Sequence, residues 1–225
     1  PDVEITHRET VFKGYFRMDA LTLRHRQFDG AWTDSIRREL FERGDAVAVL
    51  PWDIESDSVI LIEQFRPGAI RHNDSPWMLE AVAGVVETGE TDDEVAHREA
   101  LEEAGCVMDD LPPIASYYPS PGACSEQIRL FIGRVVSAAV GEVKGVATEH
   151  EDILVHSVPR TEAIALLDAG KINNGHKVQK MSPLDTMQEV FFDIRDGIGN
   201  LGKVFSDMIS GLNKHLAFRL ETLNT

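Results

Sequence analysis

Residues 84–106 read GVVETGETDDEVAHREALEEAGC, and this stretch contains the signals for both ends of a helix. Thr91 and Glu94 have the spacing of a capping box, in which the hydroxyl and the carboxylate each accept a hydrogen bond from the other residue's amide. Gly105 is a helix stop, because glycine adopts the left-handed backbone that closes a helix at little cost. The stretch therefore predicts a helix over residues 92–104, preceded by a glycine-containing loop.

Three glutamates on this predicted helix share one face. Glu99, Glu102 and Glu103 stand at positions i, i+3 and i+4, which are neighbours on a helix surface. Like charges at such short range repel one another, and a bound cation relieves the repulsion. Hard carboxylate oxygens of this kind select Mg²⁺ or Mn²⁺. The alternative is a solvated acidic face, which is the ordinary interpretation of an isolated pair of glutamates.

The loop before the helix has residues that bring a ligand close to the backbone. Gly84 carries no side chain to hold a ligand away from the main chain. Arg98 is placed to pair with Glu90 and to pin the loop onto the helix. These surroundings favour a metal and diphosphate site over a solvated face.

The complete pattern resembles the Nudix box: Gly84, five residues, Glu90, seven residues, and then REALEEAGC over residues 98–106. The resemblance implies an α/β (α+β) fold, the Nudix α/β/α sandwich, and hydrolysis of nucleoside diphosphates linked to another moiety with divalent metals. It gives structural roles within the box to Gly84, Glu90, Arg98 and Gly105.

Other segments resemble one subgroup of the family, the bacterial ADP-ribose pyrophosphatases. They include Pro121, which lies 16 residues after Gly105, and residues 37–44, 62–66 and 76–80. This resemblance implies Mg²⁺-dependent hydrolysis of ADP-ribose to AMP and ribose 5-phosphate. One alternative is a broader nucleoside-diphosphate-sugar pyrophosphatase. A second alternative, a non-catalytic Nudix-like ligand sensor, is disfavoured because the box is intact and the chain is acidic.

The resemblance also implies metal-binding and catalytic roles for individual residues. Glu149 matches the general base, which would deprotonate the attacking water. Glu102, beside the metal ligands, is the rival for that role. The implied metal ligands are the carboxylates of Glu99, Glu103 and Glu151 and the main-chain carbonyl of Ala83.

Substrate contacts are implied in the same way. Arg66 matches a diphosphate-binding arginine, although a lone arginine more often pairs with an acid. Strand aromatics such as Tyr15 and Phe16 are likewise more often core than adenine-stacking residues. The implied substrate loop comprises Ser120, Pro121, Gly122 and Glu126, and the positions that a partner subunit would bring to the site of a homodimer are Tyr15, Phe16 and Arg38.

The sequence around the box predicts two further units of structure. Alternating residues over 11–28 and 35–43, with a turn at Asp29-Gly30, predict an antiparallel β-sheet subdomain over residues 1–43 for dimerisation and substrate binding. A Nudix domain over residues 44–174 is predicted from strands at 46–50, 59–62, 77–82, 130–136 and 153–158 and a helix at 161–169.

The resemblance fades from about residue 175. Apolar residues at spacings of three and four from Met187 to Leu212 predict a divergent C-terminal helical segment over residues 175–225. Glycines within it favour one broken helix or two short ones. We expect it to cover the core or extend a dimer contact. A partner- or membrane-docking role is disfavoured, because its polar face is not densely basic.

Composition excludes several classes of protein. The net charge of −16, from 38 acidic and 22 basic residues, opposes sequence-independent binding of nucleic acid. Two cysteines, without disulfide or zinc spacing, suit a reducing compartment. The sequence has neither a signal-peptide pattern nor the run of about 18 apolar residues that spans a membrane. We therefore expect a cytoplasmic protein that binds a small-molecule nucleoside diphosphate, and neither nucleic acid nor membrane.

Overall fold

The computed structural model describes residues 2–72 and 75–174 of the chain. Within them, helix α1 spans Asp92–Ala104 and helix α2 spans Arg160–Asp168. Short 3₁₀ turns lie at Pro67–His72 and Ala147–Glu149. The strands are β1 Val3–Lys13, β2 Arg17–His25, β3 Ile36–Glu42, β4 Ala46–Asp53, β5 Ser58–Phe65, β6 Trp77–Glu80, β7 Val82–Val85, β8 Val107–Met108, β9 Pro113–Tyr117, β10 Ile128–Ser137, β11 Val143–Lys144 and β12 Ile153–Pro159.

The N-terminal strands form an antiparallel sheet in the order β1-β2-β3. A turn at residues 14–16, where the Gly14 amide donates to the Phe16 carbonyl at 2.9 Å, interrupts the alternating run predicted over residues 11–28. Asp19 of β2 is only 1% exposed and accepts hydrogen bonds from Arg8 Nε at 2.7 Å and Thr10 Oγ1 at 2.8 Å. Burial alone would raise the Asp19 pKa, but these donors hold it below its usual value. An ionised carboxylate therefore ties β1 to β2.

In the described part of the chain, the second sheet is mixed and has nine strands. Its main path is β11-β12-β5-β4-β10-β8, with β4 and β10 parallel. Strands β4 and β5 pair directly at Trp52–Val59 and Asp53–Ser58. Farther along, β7 runs beside β4 and β6 runs beside β5. The single strand predicted over residues 77–82 is thus two short strands that break at Ala81, and they lead the chain towards helix α1.

Helix α1 packs against the nine-stranded sheet through small side chains. Val95, Ala96, Ala100 and Ala104 are at most 1% exposed and belong to the main apolar cluster of the core. Alanines allow the helix backbone to approach the sheet closely, and close packing of this kind stabilises a core. Glu99 and Glu103 lie on the same side of the helix as these residues and are thereby held next to β7.

The predicted fold class is confirmed: the molecule is an α+β protein with a mixed sheet and an N-terminal antiparallel sheet. Helix α1 begins at Asp92 and ends at Ala104, as predicted. The helix predicted over residues 161–169 is present as α2, shifted by one residue. The helical segment predicted over residues 175–225 lies outside the described residues. Within the described ranges, no helix has the length and apolar character needed to cross a membrane.

Candidate active site

Glu99, Glu102 and Glu103, called the carboxylate ladder below, are positioned by the caps at the two ends of helix α1. The Thr91 hydroxyl accepts from the Glu94 amide at 3.3 Å, and the Glu94 carboxylate accepts from the Thr91 amide at 2.8 Å. Gly105 ends the helix in the left-handed conformation, with φ of 54°. These local signals place Glu99, Glu102 and Glu103 without help from distant residues.

Arg98 joins the preceding loop to the helix, as the sequence predicts. Its Nε and Nη2 atoms donate to the two carboxylate oxygens of Glu90 at 2.9 and 3.0 Å. Its Nη1 atom donates to Glu99 Oε1 at 2.7 Å. The hydrogen bond from Arg98, with a further one from the Glu87 amide, holds the Glu90 pKa below its usual value. One guanidinium therefore fixes the loop and neutralises part of the carboxylate ladder.

Strand β7 passes unusually close to this ladder. A side chain at Gly84 would overlap the carboxylate of Glu99. The neighbouring Ala83 amide donates to Glu103 Oε2 at 3.1 Å. The backbone can approach the carboxylates this closely only because residue 84 is glycine. The reason is the missing side chain, since Gly84 does not have a left-handed backbone.

The carboxyl groups of Glu103 and Glu99 are costly to ionise. Glu103 is 4% exposed, and desolvation raises its pKa to about 8 against the lowering effect of the Ala83 amide. Burial also raises the pKa of Glu99, and Arg98 opposes that shift. Repulsion from Glu151 adds to both shifts. A site that buries several carboxylates together becomes favourable when a cation replaces their protons.

The donor set fits a hard divalent cation. Glu103 offers buried carboxylate oxygens and Glu99 partly buried ones, next to the main chain of residues 83 and 84. Oxygen ligands of this kind suit Mg²⁺ and Mn²⁺. Among residues 2–72 and 75–174, no three acidic, histidine or cysteine side chains are already grouped as the ligands of one ion. A bound cation would replace the hydrogen bond that Arg98 donates to Glu99.

A cavity of about 580 Å³ opens beside the ladder, which is a size suited to a nucleotide-like molecule. Arg38, Ser120, Pro121 and Gly122 do not line it, although Pro119 does. Two predicted structural residues, Glu90 and Gly105, also lie outside the wall. The predicted residues that line it are Tyr15, Phe16, Arg66, Ala83, Gly84, Arg98, Glu99, Glu102, Glu103, Glu126, Glu149 and Glu151.

The loop that carries Glu149 and Glu151 is attached to helix α1. The Gly145 amide donates to the Glu102 carbonyl at 3.2 Å. Glu151 Oε2 accepts from the Val146 amide at 2.8 Å, which closes the loop on itself. Glu149 is exposed at the end of the 3₁₀ turn. The two carboxylates far along the chain are therefore brought to the same cavity as the helix glutamates.

The loop of Ser120 to Gly122 is tied to the N-terminal sheet. The Phe41 amide donates to the Ala123 carbonyl at 2.7 Å, and the Ser125 amide donates to the Phe41 carbonyl at 3.1 Å. Ser125 Oγ also donates to Glu42 Oε2 at 2.6 Å. Strand β3 thus sets the position of this loop and of Glu126, which follows it.

The cavity-wall residues that the sequence analysis missed include Arg43, Glu80 and Asn174. Arg43 Nε lies 3.3 Å from Glu126 Oε1 but lacks the geometry of a hydrogen bond, and its guanidinium stands over the Phe16 ring at 5.6 Å. Nothing in their local sequence distinguishes these residues, because their partners are distant in the chain.

Gly84→Ala is expected to lower kcat/KM about 100-fold, because the added methyl group displaces the Glu99 carboxylate and a shift of about 1 Å has effects of that size. The melting temperature should change by only a few degrees, since Gly84 does not have a left-handed backbone. Steady-state kinetics and thermal melting check this. Gly68→Ala, which meets no atom within 4 Å, is the matched control and should behave as wild type. Unchanged activity in Gly84→Ala would contradict the steric argument.

The stability of the metal-free protein is expected to fall as pH rises from about 4.5 to about 8. In this window folded Glu103 keeps a proton that the unfolded chain has already released, because its pKa moves from 4.5 to about 8 on folding. The free energy of unfolding then decreases with pH until folded Glu103 has also ionised. Melting temperatures in chelator across this range test the effect. Glu103→Gln should flatten the profile, and an equally steep profile in that variant would rule out Glu103 as its source.

Comparison with known proteins identifies the family of the chain. Residues 34–178 match the family model described as the NUDIX domain. The chain is 44% identical over 177 residues to the ADP-ribose pyrophosphatase of Escherichia coli (strain K12), covering 79% of this chain and 85% of that protein. It is 30% identical over 156 residues to the GDP-mannose pyrophosphatase of Citrobacter koseri, covering 69% of this chain and 81% of that protein.

A solved structure described as "Crystal structure of ADP compounds hydrolase" has the same fold. Its TM-score is 0.59 at 21% identity, covering 87% of this chain and 94% of the other. The family predicted from the Nudix box is therefore confirmed by sequence, and the structural likeness confirms the fold. The chain belongs to the Nudix family, in its ADP-ribose pyrophosphatase subgroup.

Proposed function

We propose that this protein hydrolyses the pyrophosphate bond of ADP-ribose, adding water to yield AMP and ribose 5-phosphate, and that it requires Mg²⁺, with Mn²⁺ as a possible substitute. The observation that carries the proposal is the carboxylate ladder of helix α1, with Glu103 buried, at the wall of a nucleotide-sized cavity. The 44% identity to an ADP-ribose pyrophosphatase over most of both chains supports the choice of substrate.

Glu99, Glu103, Glu151 and the Ala83 carbonyl would hold the metal. When bound, the cation supplies electrophilic polarisation of the diphosphate and neutralises its charge. The carboxylates of the chain orient that cation, and their burial excludes bulk water from it. The Ala83 amide keeps Glu103 in one orientation, at 3.1 Å.

Glu149 would accept the proton of the attacking water. It lies at the cavity wall, and its exposure on a loop supports motion towards the diphosphate. Glu102 is the second candidate, since it lies at the same wall with its side chain 40% exposed. A carboxylate in either place would take the proton as the oxygen of water bonds to phosphorus.

The remaining wall residues would bind the substrate. Arg66 and Arg43 supply positive charge for the diphosphate. Tyr15 and Phe16, which pack edge to face at 4.8 Å, supply rings for stacking on the base. Glu126 and the loop of residues 120–122 would close over the sugar.

A homodimer would complete the site. Arg38 lies outside the cavity of its own chain, which supports a contribution to the partner's cavity, with Tyr15 and Phe16 at the boundary. Strand β1 leaves Val3 51% and Ile5 56% exposed, a surface suited to a second copy. In this assignment residues 1–43 serve dimerisation and substrate binding and residues 44–174 carry the chemistry. Sedimentation equilibrium tests the dimer, and a monomer with full activity would contradict it.

The cytoplasm is the proposed location. Cys106 and Cys124 are both free thiols, which suits a reducing compartment. The net charge of −16 supports a small-molecule substrate rather than nucleic acid.

A substrate panel tests the proposed activity. ADP-ribose, ADP-glucose, GDP-mannose and NADH are compared at equal concentration with Mg²⁺, and again with chelator. The expected result is preferential turnover of ADP-ribose that disappears on chelation. Comparable rates on several nucleotide sugars would favour the broader pyrophosphatase, a possibility that the similarity to a GDP-mannose pyrophosphatase supports. Equal low rates on all four substrates would contradict the proposal.

A further inference from the structure

Glu80 is a buried carboxylate at the cavity that has no place in the reaction described above. It ends strand β6, pairs with Ile62 of β5 in the sheet, and is 3% exposed. Arg66 follows the end of β5, and its amide donates to the Pro76 carbonyl at 2.6 Å. The β5–β6 pairing thus brings the two side chains together from positions 14 residues apart.

The geometry of the pair fixes the arginine. Glu80 Oε2 accepts from Arg66 Nε at 2.9 Å and lies 2.8 Å from Arg66 Nη2. The Glu80 side chain is 4% exposed and the Arg66 side chain 41% exposed, so the carboxylate lies inside and the guanidinium forms part of the cavity wall. A guanidinium has five N–H donors in a rigid plane; Nε–H is engaged here, and Nη2 lies at ion-pair distance from the same oxygen. The other N–H donors are those that a ligand in the cavity would use.

The charge of the surrounding wall explains why the arginine needs such an anchor. Glu99, Glu102, Glu103, Glu149 and Glu151 all line the same cavity. An arginine without a fixed partner would pair with these carboxylates, and it would then compete with a cation for them.

We propose that Glu80 is a positioning residue, which holds the Arg66 guanidinium towards the substrate diphosphate and away from the carboxylates that bind metal. This inference rests on the proposed function, because it takes the diphosphate as the ligand of Arg66. Glu80 acts through Arg66 and touches neither substrate nor metal. Its removal should therefore have little further effect on activity in a protein that lacks Arg66.

A double-mutant cycle tests this dependence. Glu80→Gln is expected to lower kcat/KM for ADP-ribose about tenfold, mainly by raising KM, and to raise the Mg²⁺ concentration needed for half-maximal rate. In an Arg66→Ala background the same change should alter kcat/KM less than twofold. An equal loss in both backgrounds would overturn the inference, as would wild-type KM and Mg²⁺ dependence in Glu80→Gln.

The controls separate positioning from general damage. Asp109→Asn removes the charge of a carboxylate that accepts two hydrogen bonds from one arginine, from Arg134 Nε at 2.6 Å and Nη2 at 2.5 Å, outside the cavity wall, and should leave activity unchanged. If Glu80→Gln does not fold, Glu80→Asp replaces it in the cycle. Aspartate keeps the charge but is too short for both contacts, so the same tenfold loss is expected.

Binding of ADP with Mg²⁺, measured by calorimetry, gives the same comparison without turnover. Weaker binding in Glu80→Gln only when Arg66 is present supports the inference, and equal weakening in both backgrounds overturns it. If wild type binds ADP in this pattern but does not cleave ADP-ribose, the proposed substrate is wrong and the role of Glu80 still holds.

Discussion

Glu103→Gln is expected to lower kcat/KM for ADP-ribose about 1000-fold, with little change in the folded structure. The glutamine carbonyl can still accept the hydrogen bond from the Ala83 amide, which Glu103 accepts at 3.1 Å. What disappears is an anionic oxygen for the metal at the most deeply buried point of the ladder. A metal contributes several kcal/mol to transition-state stabilisation, and about 4 kcal/mol corresponds to the expected factor.

The measurement is kcat/KM as a function of Mg²⁺ concentration. Glu162→Gln is a matched control, because Glu162 is an exposed glutamate on helix α2, away from the cavity. That control should match wild type at every Mg²⁺ concentration. Activity within tenfold of wild type in Glu103→Gln would remove this residue from the metal site.

Glu149→Gln is expected to reduce kcat about 1000-fold while KM for ADP-ribose changes less than threefold. A general base contributes about 10²- to 10⁴-fold to the rate, and its effect appears in the chemical step rather than in binding. Glu149 is exposed on its loop, so the glutamine is accommodated without loss of packing. Single-turnover kinetics at saturating Mg²⁺ isolates that step.

The same experiment on Glu102→Gln decides between the two candidates for the base. Glu102 lies 3.4 Å from Arg98 Nη1 through its carboxylate and is joined to the Glu149 loop through its carbonyl, which accepts from Gly145. If Glu149 is the base, Glu102→Gln lowers kcat by about tenfold or less. A larger loss in Glu102→Gln than in Glu149→Gln would assign the base to the helix instead.

The parts of the molecule that could be predicted from sequence are those with local determinants. The bounds of helix α1 follow from Thr91 and Glu94 at its start and from Gly105 at its end. Each of these residues acts within one turn of its own end of the helix. The contact between Arg98 and Glu90 also spans a short loop, and it is present as expected. For residues of this kind, the spacing along the sequence is enough to predict the contact.

The missed features have determinants elsewhere in the chain. Glu80 meets Arg66 because β5 and β6 pair, and Arg43 meets Glu126 because β3 pairs with the loop before that residue. The turn at residues 14–16 lacks the Asn-Gly or Asp-Gly signal of a tight hairpin. The break between β6 and β7 falls at Ala81, which has no strand-breaking character. Each of these features depends on strand pairing. Pairing joins segments that are distant in the chain, so no single stretch of sequence predicts it.

Because of Arg98, folding of the polypeptide does not depend on metal binding. Arg98 donates to Glu99 at 2.7 Å, so this carboxylate has a positive partner within its own chain. A freshly synthesised molecule can therefore complete its architecture before an ion arrives, unlike small zinc modules that stay unstructured without one. Loading then needs only the exchange of a guanidinium for a cation. The rate of hydrolysis would then follow the free metal-ion concentration of the cell on the timescale of side-chain motion rather than that of refolding.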